Sequence, residues 1–432
     1  MFEKKVELVA FLADSENGWD AEDPASCGAK GCFSEKSSSD IHSDEKFKED
    51  SEARKDKIFA ETSGRGHGAV LDQSAFCFSI DNLTRASTLF LCAPEYASHL
   101  QQSLRRATAE RSFFMPDSLS GTEAMNLMKS QFSLYSRMQE AGVPSEDARF
   151  ILPLGTKTAI QTTLDARELM HLYSMAHRDG VPGEVLGTMY QMYSASGIVA
   201  PNLMKNRENN FEILSWWPSS QLFARENKTL EELTRENGGI QFLGSSVIPM
   251  DSERIKYAIK NKDEAELANL KHMHFTFLAP MSLATFHQMT RQRTLNQSVE
   301  PIYNAARRGE FVIPDSIANK GFSSAYSELN EESIGFVRNN IDNPDSLMVL
   351  PHSLLIYDLM HVNGWNALGF IAKRTCREAQ WEIRDIAKDI AYKIKTDYPD
   401  LGKFSVPQGI LYGRCPEKNP CHYCDGKTID SL

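Results

Sequence analysis

Two stretches of this chain lie on one another without a gap. RFILPLGTKTAIQTTLDARELMHL (149–172) and LMVLPHSLLIYDLMHVNGWNALGF (347–370) share a Leu-Pro turn, a β-favouring run and an apolar helical pattern at a shift of 198 residues. The same shift carries Ala86 onto Ala284. One register therefore holds over most of a domain length, which favours duplication over two unrelated α+β domains whose shared patterns would mimic shorter matches. The chain reads as an α+β protein built of tandem homologous repeats.

The boundaries follow from composition. Residues 1–204 form the first repeat, interrupted at about 34–56 by SEKSSSDIHSDEKFKEDSEARKD, a Ser-rich acidic insertion with almost no apolar residues that reads as solvated or as an exposed helix. A polar linker, 205–238, contains Trp216, Trp217 and Pro218, the tryptophans packing it down. The second repeat, 239–410, opens with a strand (GIQFLGSSVI) and a charged helix (DSERIKYAIKNKDEAELANL), and a Cys-rich tail occupies 411–432. In AQWEIRDIAKDIAYKIKTDYPD the isoleucines 383, 386, 390 and 394 recur at helical spacing, which predicts core. SGTEAMNLMKSQFSLYSRMQEAG (120–142) reads as a comparable helix with a Met and Phe stripe facing inward.

Charge excludes one class of function. With 58 acidic against 47 basic residues and a formal charge of −11, the surface lacks the surplus of Lys and Arg with which nucleic acid is bound. No run approaches the ~18 apolar residues of a membrane span, and the expectation is a cytoplasmic protein with no membrane or nucleic-acid partner. The eight cysteines are scattered except at the C-terminus, where Cys415, Cys421, His422 and Cys424 form a candidate zinc set that lacks the signature of two paired CxxC motifs. Reduced thiols are the alternative reading. Cys92 and Cys376 are given no role.

TRQRTLNQSVEPIY (290–303) places Arg291 and Arg293 one residue apart. Two planar guanidinium groups so spaced can straddle a phosphate or pyrophosphate, although an isolated R-x-R is also a common solvated turn. Gln288 carries both a donor and an acceptor, as reading a uracil-like edge requires.

HMHFTFLAPMSLATFHQMTRQRTLNQSVEPIY followed by RTCREAQWEIRDIA resembles the signature of the flavin-dependent thymidylate synthases, an Arg-His-Arg triplet, a spaced serine and a downstream Ala-Gln-Trp-Glu-Ile helix. The first half, HGAVLDQSAFCFSIDNLTRASTLF with SHLQQSLRRA and DARFILPLGTKTAIQTTLDARELMHL, resembles the same family independently. The resemblance implies two repeats, each a mostly antiparallel sheet flanked by helices. It also implies reductive methylation of dUMP to dTMP, with FAD as cofactor and NADPH and methylenetetrahydrofolate as co-substrates.

Neither repeat carries the whole family site. In the second, the resemblance puts Gln288 and Arg374 against the pyrimidine as catalytic and substrate-binding groups, and Arg291, Gln292 and Arg293 along the FAD, with Gln292 replacing the triplet's histidine. Pro301, Tyr303 and Leu347 stand where the family has a serine and two arginines that grip the nucleotide phosphate. At the shift of 198 those positions are Ser103, Arg105 and Arg149 in the first repeat, whereas Arg291, Arg293 and Arg374 become Ala93, Glu95 and Ala176. The losses are reciprocal. Gln101 takes the place of a glutamate near the flavin, and Arg167 or Asn363 joins the FAD set.

In the family the site is assembled between subunits of a tetramer. The resemblance therefore implies one composite site per pair of complementary repeats, in a homodimer acting as a pseudo-tetramer. The departures at Gln292 and Gln101 leave two other readings open, a flavin-dependent enzyme acting on another pyrimidine nucleotide and a non-catalytic nucleotide- or flavin-binding scaffold.

Overall fold

The computed structural model describes residues 5–49, 51–105, 112–119, 121–212, 217–235 and 238–432. Trp216, Ser120, Arg106 and parts of the linker lie outside these. The chain forms two compact units, Met1–Arg225 with Ile313–His352, and Glu226–Val312 with Ser353–Leu432. The units do not follow the repeat boundary, because forty residues of the second repeat, 313–352, belong to the first unit.

The sheet of the first unit has four antiparallel strands in the order β1-β2-β4-β3, with β1 Lys5–Phe11, β2 Phe76–Thr84, β3 Ser98–Gln101 and β4 Lys157–Leu164. The second unit repeats it as β5-β6-β8-β7, with β5 Gln241–Ser246, β6 His274–Ser282, β7 Asn296–Val299 and β8 Leu355–Asn363. Phe76, Phe78 and Ile80 of β2, and Phe275, Phe277 and Met281 of β6, alternate into the buried face.

The helices used below are α1 Arg85–Leu91, α2 Thr122–Glu140, α3 Ala166–Ala176, α4 Gly183–Val199, α5 Leu283–Met289, α6 Ser323–Asn339, α7 Gly364–Arg374, α8 Trp381–Asp397 and α9 Gln408–Leu411. Strands β2 and β3 and helices α1, α3 and α4 recur as β6, β7, α5, α7 and α8 with both ends displaced by 198 residues. The isoleucines of α8 are buried as their spacing predicts, and so are Met128 and Met138 of α2, while Phe132 is half-buried.

A buried carboxylate repeats with the fold. Thr84 caps α1 by accepting the Ser87 N–H at 3.1 Å, and its hydroxyl donates to Glu184 at 2.7 Å; Ser87 Oγ donates to the same carboxylate. In the other copy Ser282 caps α5 by accepting the Thr285 N–H at 3.1 Å, and both hydroxyls donate to Glu382 at 2.6 Å. Glu382 is the glutamate of AQWEI. Its anionic oxygens satisfy cap groups that would otherwise be buried without partners.

The second repeat's long helix is part of the first unit. There Gln131 of α2, fully buried, donates to Ser333 Oγ of α6 at 3.1 Å and to the Val349 carbonyl at 3.0 Å.

Two local expectations change. The charged helix expected over 251–270 is two, Ser252–Asn261 and Glu264–Asn269, because Lys262 adopts a left-handed φ of 54° and Asp263 caps a new start. The Ser-rich insertion is mostly exposed, but its helices are pinned by buried Ile41 and by Lys55, whose ammonium lies 2.5 Å from Asp20 and 2.9 Å from Asp23. Among the described residues no helix is long and apolar enough to cross a membrane.

Candidate functional site

The first unit gathers Ser103, Arg105 and Arg149. Ser103 follows β3 and its Oγ accepts the Arg105 N–H at 3.2 Å. Both Nε and Nη2 of Arg105 lie 2.8 Å from Oε2 of Glu146. Arg149, buried in a short turn, donates from Nε to the Glu146 backbone carbonyl at 3.0 Å. Glu146 therefore orders both arginines, one through its carboxylate and one through its main chain. Two guanidinium groups thus converge on Glu146 from different sides, an arrangement of donors of the kind that binds oxyanions. Sequence reasoning missed Glu146, which lies 41 residues from Arg105.

Gln101 ends β3, paired with Ile160 of β4, and its Nε2 is buried with no hydrogen-bond partner. Arg167, in the first turn of α3, is held on three sides. Its Nη1 lies 3.2 Å from Asp72 and its Cζ 4.0 Å above the Trp217 ring. At Gly68 a Cβ would come within 2.7 Å of that Cζ, so glycine there permits the approach. Trp217 thus serves as a platform for the guanidinium as well as fastening the linker.

In the second unit, Arg374 at the end of α7 reaches the last turn of α5 and the segment that follows it. Its Nη2 donates to the Gln288 carbonyl at 3.3 Å. With the Gln292 amide turned so that its oxygen faces the guanidinium, the assignment that satisfies both groups, Gln292 accepts from Nε at 3.1 Å and from Nη2 at 2.8 Å. Arg291 and Arg293, on either side of half-buried Gln292, are exposed. The side-chain nitrogen of Gln288 reaches the Ala284 carbonyl at 3.4 Å. Asn363 caps α7, its Oδ1 accepting the Asn366 N–H at 2.9 Å.

The same unit holds a buried acid that no sequence pattern indicated. Asp358 of β8 is fully buried and accepts from Gln297 Nε2 at 2.6 Å. Burial pushes its carboxyl up to about 7 against the pull of that single hydrogen bond. In the tail, Cys415, Cys421 and Cys424 are half-buried, while His422 is exposed with its Nδ1 2.8 Å from Asp425. Among the described residues no group of three or more His, Cys, Asp or Glu side chains is placed so that it could hold a metal ion, so Cys415, Cys421, His422 and Cys424 do not form the zinc set their spacing suggested.

The chain matches the family described as thymidylate synthase complementing protein twice, over residues 18–202 and 219–400. A flavin-dependent thymidylate synthase of Geobacter sulfurreducens is 32% identical over 149 residues, 33% of this chain and 64% of that protein. One from Pyrococcus furiosus is 30% identical over 184 residues, 40% of this chain and 72% of that protein. The chain thus spans roughly two thirds of the length of these relatives. Among solved structures, the UMP/dUMP methylase PolB from Streptomyces cacaoi bound with 5-Br dUMP aligns with 47% of this chain and 93% of its own, at 19% identity and a TM-score of 0.39. Matched over both halves, with its helices and strands recurring at one constant interval, the chain belongs to the thymidylate synthase complementing protein family as two tandem copies.

Proposed function

We propose that the chain is a cytoplasmic flavin-dependent thymidylate synthase that methylates dUMP to dTMP, with methylenetetrahydrofolate as carbon donor and NADPH as reductant. The repeats supply complementary halves of one site, in a homodimer taking the place of a tetramer of single-repeat subunits. The observation that carries this reading is the division of site residues. The Ser103-Arg105-Arg149 cluster lies in one copy and the Gln288-Gln292-Arg374 cluster in the other, with neither cluster complete in both. Drift that silenced one copy would have left both clusters in the survivor.

The residues present fit a flavin dinucleotide. Arg291 and Arg293 offer exposed guanidinium groups to a pyrophosphate, and the buried Gln101 Nε2 is a donor in want of an acceptor. Arg167, fixed over Trp217, and the cap residue Asn363 complete the set. Reduced flavin, when bound, supplies the hydride.

The chain's own residues bind, orient and stabilise charge. Arg105 and Arg149 fix the nucleotide phosphate, with Ser103 adding a hydroxyl donor. Gln288 reads the pyrimidine edge, and Arg374 stabilises the negative charge that develops on the ring as C5 becomes nucleophilic. Gln292 orients Arg374 through a neutral amide, so the guanidinium keeps its full charge where a carboxylate partner would have cancelled it.

Complementation of thymidine-requiring cells, together with dTMP formation by purified protein, tests the reading. Wild-type protein is expected to be yellow, to oxidise NADPH and to support growth. Arg105→Ala and Arg374→Ala each remove a charge-assisted contact worth about 1.5–3 kcal/mol, a loss of roughly ten- to a hundredfold in kcat/KM. Nucleotide binding without turnover by wild type would instead select a binding scaffold, and full activity in either variant would refute the composite site.

A further inference from the structure

The Ser-rich insertion shapes a basic cavity on a net-acidic protein. Its helix Ser51–Glu61 presents Arg54, Lys57, Ile58 and Glu61 along one face at helical spacing, and Lys30, Lys36 and Lys46 line the same cavity of about 550 Å³. Two carboxylates stand among these five cations, and both are taken. Asp44 lies 2.7 Å from Lys36, and Glu61 4.0 Å from Lys57. Lys30, Lys46 and Arg54 are left with no carboxylate within ion-pairing distance among the described residues, on a chain whose formal charge is −11. Arg54 carries the argument furthest. Its Cζ lies 5.5 Å from the centroid of the Phe47 ring, which fixes the guanidinium, yet its Nη1 is shut off from solvent with no hydrogen-bond partner. A buried charged donor left open is costly, and it points to an acceptor that enters the cavity.

From this geometry we propose that the cavity binds a nucleoside triphosphate, with its phosphates on Lys30, Lys46 and Arg54 and its base against Phe47 and Ile58. The guanidinium offers directed donors to phosphate oxygens, and the two exposed ammonium groups act as point charges that swing onto them. Three cations without carboxylate partners suit a chain of phosphates better than a single one. The volume falls within the range of about 300–1,000 Å³ typical of small-molecule sites and is larger than phosphates alone require. Phe47, Ile41 and Ile58 give the remaining wall an apolar character that suits a planar base and that a bare polyphosphate would leave unused. This site shares no residue with the Ser103-Arg105-Arg149 cluster or the Gln288-Gln292-Arg374 cluster, and it stands whether or not the activity proposed above does.

The test is calorimetric titration of the full chain with ATP, in the presence of saturating FAD and dUMP so that the nucleotide sites of the proposed activity are filled. Wild type is expected to bind ATP, with an affinity that falls as salt is raised, and to bind tripolyphosphate at least roughly tenfold more weakly. Arg54→Gln should weaken ATP binding by more than roughly tenfold, and Lys48→Gln, exposed in the same insertion but outside the cavity lining, should leave it unchanged. A wild-type chain that binds no ATP overturns the proposal. So does tripolyphosphate that binds as tightly as ATP, or an Arg54→Gln chain that binds ATP as tightly as wild type. Should Arg54→Gln fail to fold, amine acylation of the wild type decides. ATP should shield Lys30 and Lys46 and leave Lys48 reactive, and equal labelling with and without ATP counts against the site.

Discussion

Pro153 and Pro351 face each other across an antiparallel bridge inside the first unit, although 198 residues separate them. The Leu154 N–H donates to the Leu350 carbonyl at 2.8 Å, and the His352 N–H donates to the Leu152 carbonyl at 3.0 Å. Because 152 and 350, like 154 and 352, are equivalent positions of the repeat, the two bonds are images of each other. The duplicated Leu-Pro turns meet about a local twofold axis, and proline leaves this short ladder only the donors on either side of it.

His352, beside that axis, should make the protein acid-sensitive. It is fully buried, its Nδ1 lies 2.6 Å from the Leu152 carbonyl, and burial, with Arg85 and Arg149 adding to it, pushes its pKa down to about 3. The folded state thus disfavours the proton that the unfolded chain accepts near 6.5. Stability from this residue is complete above pH 6.5 and declines as pH falls toward 3, by about 2–3 kcal/mol between pH 6.5 and 4.5. Denaturant unfolding of His352→Gln over that range should show a shallower decline than wild type. Equal slopes would mean that the imidazole is protonated in the fold.

Asp358 should act in the opposite direction. Its carboxyl titrates near 7 in the fold against 3.8 when unfolded, so ionisation penalises the native state increasingly from pH 4 to about 7. Asp358→Asn keeps an oxygen for Gln297 and removes the penalty, and should gain a few kcal/mol over wild type at pH 8 while matching it near pH 4. A constant difference at all pH values would contradict the assignment.

Replacing Glu382 by Ala leaves the Ser282 N–H and the Ser282 and Thr285 hydroxyls without their carboxylate. Each stranded buried group costs about 1–3 kcal/mol, so the chain should be strongly destabilised. Glu184→Ala removes the equivalent cap in the first repeat and should cost a comparable amount. Midpoints of chemical unfolding measure both, and a loss confined to activity would mark Glu382 as a functional rather than a structural residue.

Gln292→Leu should lower kcat more than it raises the KM for dUMP. The exchange removes the two acceptor contacts that orient Arg374 while leaving the arginine in place. Steady-state kinetics should show a fall of roughly tenfold in kcat, consistent with about 1.5 kcal/mol for a hydrogen bond to a charged group. Restoring the family's histidine at 292 should recover part of it.

The repeat was legible in the chain because strand and helix periodicities and a Leu-Pro turn are local properties, and a constant spacing multiplies weak local signals into a strong one. The inward stripe of α8 came with that register, and so did the reciprocal distribution of arginines between the two copies. What the fold alone decided are the meetings between distant residues: Glu146 ordering two arginines, Gln292 turned onto Arg374, Trp217 beneath Arg167, and 313–352 joined to the unit of the first repeat. Such partners are chosen by burial and by the need to satisfy polar groups in three dimensions, and neither leaves a periodic mark along the chain.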